Sequence, residues 1–438
     1  MSRVVAAIGS GCALALAASV AHAIDYRITF NSARPLAAQV EVVAPQRPDK
    51  KGSARIASRA PLKARADALG IREQLSGVRC DGIALKRNEA GWVMPPRGCA
   101  RLAWSITFEP LSAKGVDASE QRNLYHAKSK SWLLSEAASL LRWPGSEGAR
   151  IVVRGAAPVR GGAALAAVSG PSEAGGVTLA MPDLADPAEF YVLGNAPLSR
   201  VHAGGTEFIY ARYAEGDLDA IEQAHANALH YFTSITQSTV APLATLVAWL
   251  PIDEQQGGIG AANGAYSILA NVVVEKGVVA STRLPYSLAT LLQTQFVQMT
   301  NGGLPLWASV SLSEYYTRKS LARTTLDEST RAEMESSYLA PEAAPSGTLI
   351  GYQVRIDNND PSAYRLLASE GSTFWLALDR AIQKESGGKR SLDDELPEIL
   401  RSEFGSPRMP VTLVERLRSA AGAVAFDALQ ARYLGAMQ

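Results

Sequence analysis

The hydrophobic period of this chain changes once, near residue 195, and that change limits what it can fold into. Before it, apolar residues recur at every second position. Tyr26, Ile28 and Phe30 alternate with Arg27 and Thr29, and Val40 and Val42 with Gln39 and Glu41. Leu102, Trp104, Ile106 and Phe108 share one face, with Arg101, Ser105 and Thr107 on the other. A period of two carrying aromatics marks half-buried strands. Further short strands are expected at 150–153, 177–181 and 190–193, with Gly and Pro between them, and one helix around 131–141. The expectation is a β-sandwich-like domain over residues 24–195.

Beyond that point strands alternate with helices. A strand is expected at 208–213. Asp217 is a suitable N-cap for a helix whose apolar stripe is Leu218, Ile221, His225, Leu229 and Phe232. A strand at 246–250 ends at Pro251, and a Gly-rich stretch, Gly257-Gly258-Ile259-Gly260-Ala261-Ala262-Asn263-Gly264, leads into a strand at 266–274. A helix then spans 285–299, with Leu288, Leu291, Leu292, Phe296 and Met299 at helical spacing. From Trp307 the chain reads as mostly helical. The class is α+β, with an α/β domain over 196–325 and a helical domain over 326–438. A length of 438 residues exceeds a single core, and 47% apolar residues suffice to build several.

The start of the chain speaks to compartment. Arg3 is the only charge before Asp25, an apolar run follows from Val4 to Val20, and Ala21-His22-Ala23 is the small-x-small pattern of a signal-peptidase site. Residues 1–23 are therefore expected to be a cleaved signal peptide and the protein to be exported, periplasmic or secreted. The run is short for a membrane anchor. Cys12 does not read as a lipidation site, because Gly9 stands where a branched aliphatic residue is wanted. Of the 43 basic residues, loss of Arg3 leaves 42 against 42 acidic ones. A net charge of zero gives no electrostatic reason to bind nucleic acid or an anionic membrane.

The mature part keeps Cys80 and Cys99. An even count in an exported chain reads as one disulfide, and no two further ligands lie nearby to make a zinc site of the pair. Between them Asn88-Glu89-Ala90-Gly91 reads as a turn, so a hairpin stapled near its ends is expected.

Several stretches resemble the glycyl aminopeptidase family of gluzincin, thermolysin-like metallopeptidases. Residues 26–43 are similar to its opening strands. Gly257-Gly258-Ile259 followed by Asn263 resembles its Gly-Gly-x-Glu-His-x-Asn edge strand. The run from Leu306-Trp307 to Glu314-Tyr315-Tyr316 resembles its Trp-Leu-x-Glu-Gly-x-x-x-Tyr-Tyr helix. Glu370-Gly371, Leu378-Asp379 and Ser391-Leu392-Asp393-Asp394 follow its Lys-Gly, Leu-Asp and Ser-Leu-Asp-Asp landmarks in order and spacing. The resemblance spans nearly the whole mature chain and implies a metallopeptidase scaffold.

Zinc chemistry on that scaffold needs two histidines at i and i+4, a Glu general base beside the first, a third ligand from the next helix and an oxyanion donor. The resemblance carries each onto a residue of another kind. The two histidine positions hold Gln293 and Val297, the base position Thr294, and the third-ligand position Val310. The tyrosine position holds Ala368, and the Glu-His of the edge strand is replaced by Gly260-Ala261. The reading is a scaffold without catalytic residues, metal or other cofactor, whose cleft is kept for an extended peptide or protein that adds to the edge strand. Two rival readings are an active peptidase using other residues and a structural partner without a ligand.

No other chemistry stands out. Glu222 and His225, at i and i+3, form a candidate metal pair against a solvated helix face. His225 and His230, five apart, diverge around a helix. Glu314 alone reads as a surface or capping group, and Asp393-Asp394 as the acidic start of a helix rather than a catalytic pair. No nucleophile elbow, phosphate loop or dinucleotide fingerprint is present, and helical sequence runs to Gln438 where many relatives carry a PDZ module.

Overall fold

The computed structural model describes residues 24–43, 55–112, 114–144, 146, 149–156, 177–184, 186–237, 245–253, 255, 258–300, 303–323, 328 and 345–435. The signal-peptide reading of residues 1–23, Gly257 of the Gly-rich stretch and most of 324–344 lie outside these.

Three sheets stack in one direction and helices close the last face. The first sheet has seven strands: β1 (Asp25–Phe30), β2 (Ala37–Val43), β4 (Leu75–Cys80), β5 (Ile83–Ala84), β8 (Arg101–Thr107), β13 (Arg150–Arg154) and β14 (Val177–Ala180), in the order β14-β13-β1-β2-β8-β4-β5. Two short ribbons flank it: β3 (Lys63–Ala64) with β12 (Leu141–Arg142), and β6 (Arg87–Asn88) with β7 (Gly91–Trp92). The second sheet has four strands, β9 (Glu109–Pro110), β10 (Leu124–His126), β11 (Ser131–Ser135) and β15 (Phe190–Gly194). The third has six: β16 (Leu198–Ala203), β17 (Thr206–Arg212), β18 (Leu246–Asp253), β19 (Ala261–Asn263), β20 (Ser267–Glu275) and β21 (Val278–Val279). Its order is β16-β17-β18-β20-β19, with β21 also on β20.

The alternation of side chains explains the stacking. In β11 and β15, Trp132, Leu134, Tyr191 and Leu193 pack with Tyr26, Trp104 and Ile151 of the first sheet. Their neighbours Leu133, Phe190 and Val192 pack with Ile209, Ala248, Leu250 and Leu269 of the third sheet. The opposite face of that sheet, Phe208, Tyr210, Val247, Trp249, Ile268 and Val272, meets the helices. Both faces of β11, β15, β17, β18 and β20 are therefore largely buried, and each layer fixes the register of the next.

This corrects one expectation. Residues 131–141 are not a helix but β11, the one-turn helix α2 (Glu136–Ser139) and β12. Ser-Trp-Leu-Leu-Ser is buried at every position because β11 has a sheet on each face, and a continuously apolar short run cannot be told from a buried helix by its period. A second boundary shifts as well. β18 continues through Pro251 to Asp253, because its neighbour β17 pairs only as far as Trp249 and leaves the missing Pro251 N–H without a ladder bond to make.

Apart from α1 (Ala66–Leu69) and α2, the helices follow in the second half: α3 (Asp219–Thr236), α4 (Leu284–Thr300), α5 (Leu306–Leu321), α6 (Leu349–Asp357), α7 (Ser362–Glu385), α8 (Leu392–Arg401), α9 (Val411–Ala421) and α10 (Ala423–Tyr433). The N-cap of α3 is Leu218 rather than the expected Asp217, which stands one residue earlier and accepts from the Asp219 N–H at 2.9 Å; all five residues of the expected stripe are buried. The five stripe residues of α4 are likewise buried. Helices α3 to α10 share one core with the third sheet. Among the described residues no helix is long and apolar enough to cross a membrane.

Cys80 and Cys99 are disulfide-bonded with Cα atoms 5.3 Å apart. Between them the expected turn forms the β6–β7 hairpin, with the Asn88 side chain accepting from the Ala90 N–H at 2.9 Å.

Candidate functional site: the edge of the third sheet

The residues of the expected site lie on β19, α4, α5 and α7, with β19 packed on α4, α4 on α5 and α5 on α7. β19 is the edge strand, antiparallel to β20, with Ala261 opposite Ala270 and Asn263 opposite Ile268. Gly260 O accepts from the Asn271 N–H, and the Gly264 N–H bonds to Ser267 O. With alternate residues bonded inward, the backbone groups of Ala261 and Asn263 point away from β20. α4 is tied to this edge by Gln298, whose Nε2 donates to Gly264 O at 2.6 Å.

Asn271 anchors the strand. It is fully buried, and its amide is saturated: Oδ1 accepts from Ala118 N at 2.8 Å and Gly260 N at 3.2 Å, while Nδ2 donates to Val116 O at 2.8 Å and Leu250 O at 3.2 Å. One side chain thus joins the turn at 116–120, β18 and the start of β19.

Helix α5 crosses α7 closely because Gly371 lacks a side chain: a Cβ there would lie 2.3 Å from the Ser311 Cβ. Ser311 Oγ accepts from Trp375 Nε1 at 2.7 Å, and Trp375 stacks on Trp307 with ring centroids 5.9 Å apart. The residues that carried the family resemblance are mostly such supports. Asp379 accepts from Tyr315 OH at 2.6 Å, from the Leu392 N–H at 2.6 Å and from Lys319 Nζ at 3.2 Å. Burial would raise the Asp379 carboxyl, but these donors outweigh it and hold the group below its ordinary range. Asp393 takes Lys319 Nζ at 2.7 Å and Tyr231 OH at 2.9 Å, and Asp394 accepts from Ser391 N at 2.7 Å in a capping box. Asp393-Asp394 is a helix start, as its sequence indicated.

Gln293, Thr294 and Val297 lie on one partly exposed side of α4. Val310 is buried on α5, Ala368 is half-buried on α7 one turn from the Gly371 crossing, and Gly260 and Ala261 are half-buried at the edge strand. Gln293 Nε2 donates to Glu314 Oε2 at 3.3 Å, and Arg318 Nε donates to the other oxygen, Oε1, at 3.1 Å. This overturns the surface or capping reading of Glu314, which is only 7% exposed and ion-paired within its helix. Arg318 was missed; its signal was the i, i+4 spacing from Glu314.

This donor set does not fit zinc. Val297 and Val310 offer hydrocarbon, and the Gln293 amide spends its N–H on Glu314. Both Glu314 oxygens are engaged, and the positive charge beside them is the Arg318 guanidinium. Among the described residues no group of three or more His, Cys, Asp or Glu side chains converges to hold a metal.

The Glu222–His225 pair is neither a metal site nor a solvated face. Both residues are fully buried. Glu222 is taken by Arg212, with Nε to Oε1 at 2.8 Å, and His225 Nδ1 lies 3.0 Å from Tyr210 OH. Burial pushes the His225 imidazole down to about 3, so it stays neutral. His230 is exposed and turned away from it.

Comparison with known proteins gives the fold. No family model and no curated protein matches the chain. Among solved structures, an aminopeptidase N family protein from Idiomarina loihiensis aligns over 86% of this chain and 70% of its own, at 12% identity and a TM-score of 0.59. An M1 zinc metallopeptidase from Deinococcus radiodurans covers 95% of this chain and 94% of its own at 16% identity, with a TM-score of 0.41. With the layered sheets and the first of these likenesses in hand, the chain shares the fold of that aminopeptidase N family protein.

Proposed function

We propose that this protein is an exported, non-catalytic relative of the glycyl aminopeptidases that holds an extended peptide or protein segment in the old substrate cleft. The observation that carries the reading is the Gln293–Glu314–Arg318 chain: where a metallopeptidase concentrates ligands around a cation, this chain supplies its own cation from α5. Val297 and Val310 leave no lone pairs to compete for metal, and Thr294 is not a base near neutral pH. Binding rests on β19. Its outward N–H and C=O groups are those an added strand would pair with, and Ala261 keeps the edge open.

The test is binding of a fluorescein-labelled, alanine-rich hexapeptide by anisotropy, for the wild type and for Ala261→Pro. Proline removes one outward N–H without touching the bonds to β20. Saturable binding that the proline variant loses, with an unchanged thermal transition, supports the reading. Equal binding by both, or cleavage of the peptide, contradicts it; cleavage would favour the active-peptidase alternative.

A further inference from the structure

A cavity sharing no residue with β19, α4, α5 or α7 opens where the chain crosses from the middle sheet to the third. It has a volume of about 570 Å³ and lies at the carboxyl ends of the three parallel strands: Arg212 ends β17, Pro251 lies near the end of β18, and Gly277 follows β20. The β10–β11 hairpin roofs it with His126, Lys128 and Ser129. Ligands in open α/β sheets gather at the carboxyl ends of the strands, and a volume of several hundred Å³ at a junction of layers suits a small molecule.

The lining chemistry selects the ligand. His126 Nδ1 is engaged by Ser129 Oγ at 2.7 Å, and Ser129 Oγ lies 2.6 Å from Ser131 Oγ. Burial first, then the nearby Lys128 charge, hold the imidazole below its ordinary range, so it is neutral at pH 7. In the tautomer in which Nδ1 accepts from the serine, Nε2 carries the proton and is a donor. Arg212 spends Nε and Nη2 on Glu222 and Asp219. Lys128 Nζ pairs with Glu215 Oε1 at 2.5 Å, and the two side chains are 72% and 66% exposed. Such a pair is weak and readily exchanged. With Arg212 already paired to Glu222 and Asp219, Lys128 and the His126 ring face one carboxylate, Glu215, beside an apolar wall of Leu111, Tyr213 and Pro197.

The geometry points to a binding site for a small organic carboxylate with an apolar body, whose carboxylate replaces Glu215 on Lys128 while the body lies on the Tyr213 wall. Fluorine NMR of the full chain with para-trifluoromethylbenzoate, against para-trifluoromethylbenzamide as the neutral control, tests it. The benzoate should bind saturably and the benzamide at least about fivefold more weakly, the value of one exposed charge contact. Lys128→Gln should weaken benzoate binding by about the same factor, and Glu215→Gln, which removes the competing carboxylate, should strengthen it. Both residues are exposed, so the thermal transition should not move. Absence of saturable binding, equal affinity for the benzamide, or a Kd unmoved in both variants would overturn the assignment.

Discussion

Replacing Asn271 by leucine removes the one side chain that ties three segments to the start of β19. Leucine is close to asparagine in volume, so no cavity is expected, and the cost comes from hydrogen bonds. Four are lost, to Ala118 N, Gly260 N, Val116 O and Leu250 O. Gly260 is half-exposed and water can replace its bond. Ala118 and Leu250 are buried, so the Ala118 N–H and the Leu250 carbonyl lose a partner away from water, whereas Val116 is half-buried. A stranded buried group costs about 1–3 kcal/mol, and the apolar gain of leucine offsets part of that, leaving a loss on the order of 3 kcal/mol. Asn271→Asp should cost at least as much at neutral pH, because its second oxygen faces two carbonyls where the amide donated. Urea unfolding of the three proteins measures this. A loss below about 1 kcal/mol for the leucine variant, or an aspartate variant as stable as wild type, would refute the bracket role.

Other consequences are equally open to measurement. Glu189 is fully buried beside Ser267, Phe190 N and Tyr266 N, and burial pushes its carboxyl up from 4.5 to about 7. A raised carboxyl stabilises the fold below its unfolded value and loses that contribution as pH rises through the folded one. Stability should therefore fall by about 3 kcal/mol between pH 4.5 and 8 from this group, and Glu189→Gln should flatten the urea-midpoint profile; parallel profiles would contradict this. Gly371→Ala should cost about 1–3 kcal/mol by pushing α7 off α5, read from urea unfolding; a variant as stable as the wild type would show that the crossing does not need the glycine. Reducing or deleting the Cys80–Cys99 bridge, whose partners are 19 residues apart, should cost about 3 kcal/mol, read from chemical unfolding with and without reductant.

Much of this architecture was legible in the sequence, because the strands with one wet face alternate and the helices carry clear stripes. What failed was what depends on a second layer. β11 looked helical because both its faces are covered, and nothing local in Ser-Trp-Leu-Leu-Ser announces a sheet on each side. That the positions expected for zinc ligands hold Gln293, Val297 and Val310 was readable in the sequence, whereas the Gln293–Glu314–Arg318 contact was not. Arg318 is an ordinary helix residue until α4 brings Gln293 against Glu314. Asn271 left a trace, one amide in an otherwise apolar strand, but its four partners come from three separate stretches of chain. The Lys319–Asp379–Asp393 network likewise joins residues up to 74 positions apart. The cavity at the strand ends depends on the hairpin that roofs it, and no local pattern marks it.

The central proposal is that this protein, with an aminopeptidase N-like fold, works without metal, and the metal content of the purified protein tests it most directly. Zinc needs about three protein ligands to survive purification, and the positions expected for ligands offer hydrocarbon at Val297 and Val310 and a Glu314 already held by Arg318. Elemental mass spectrometry of the wild-type protein should find no stoichiometric zinc, and added zinc should not raise the thermal transition. One zinc per chain, removed by chelator together with peptide hydrolysis, would contradict the account and identify a working enzyme.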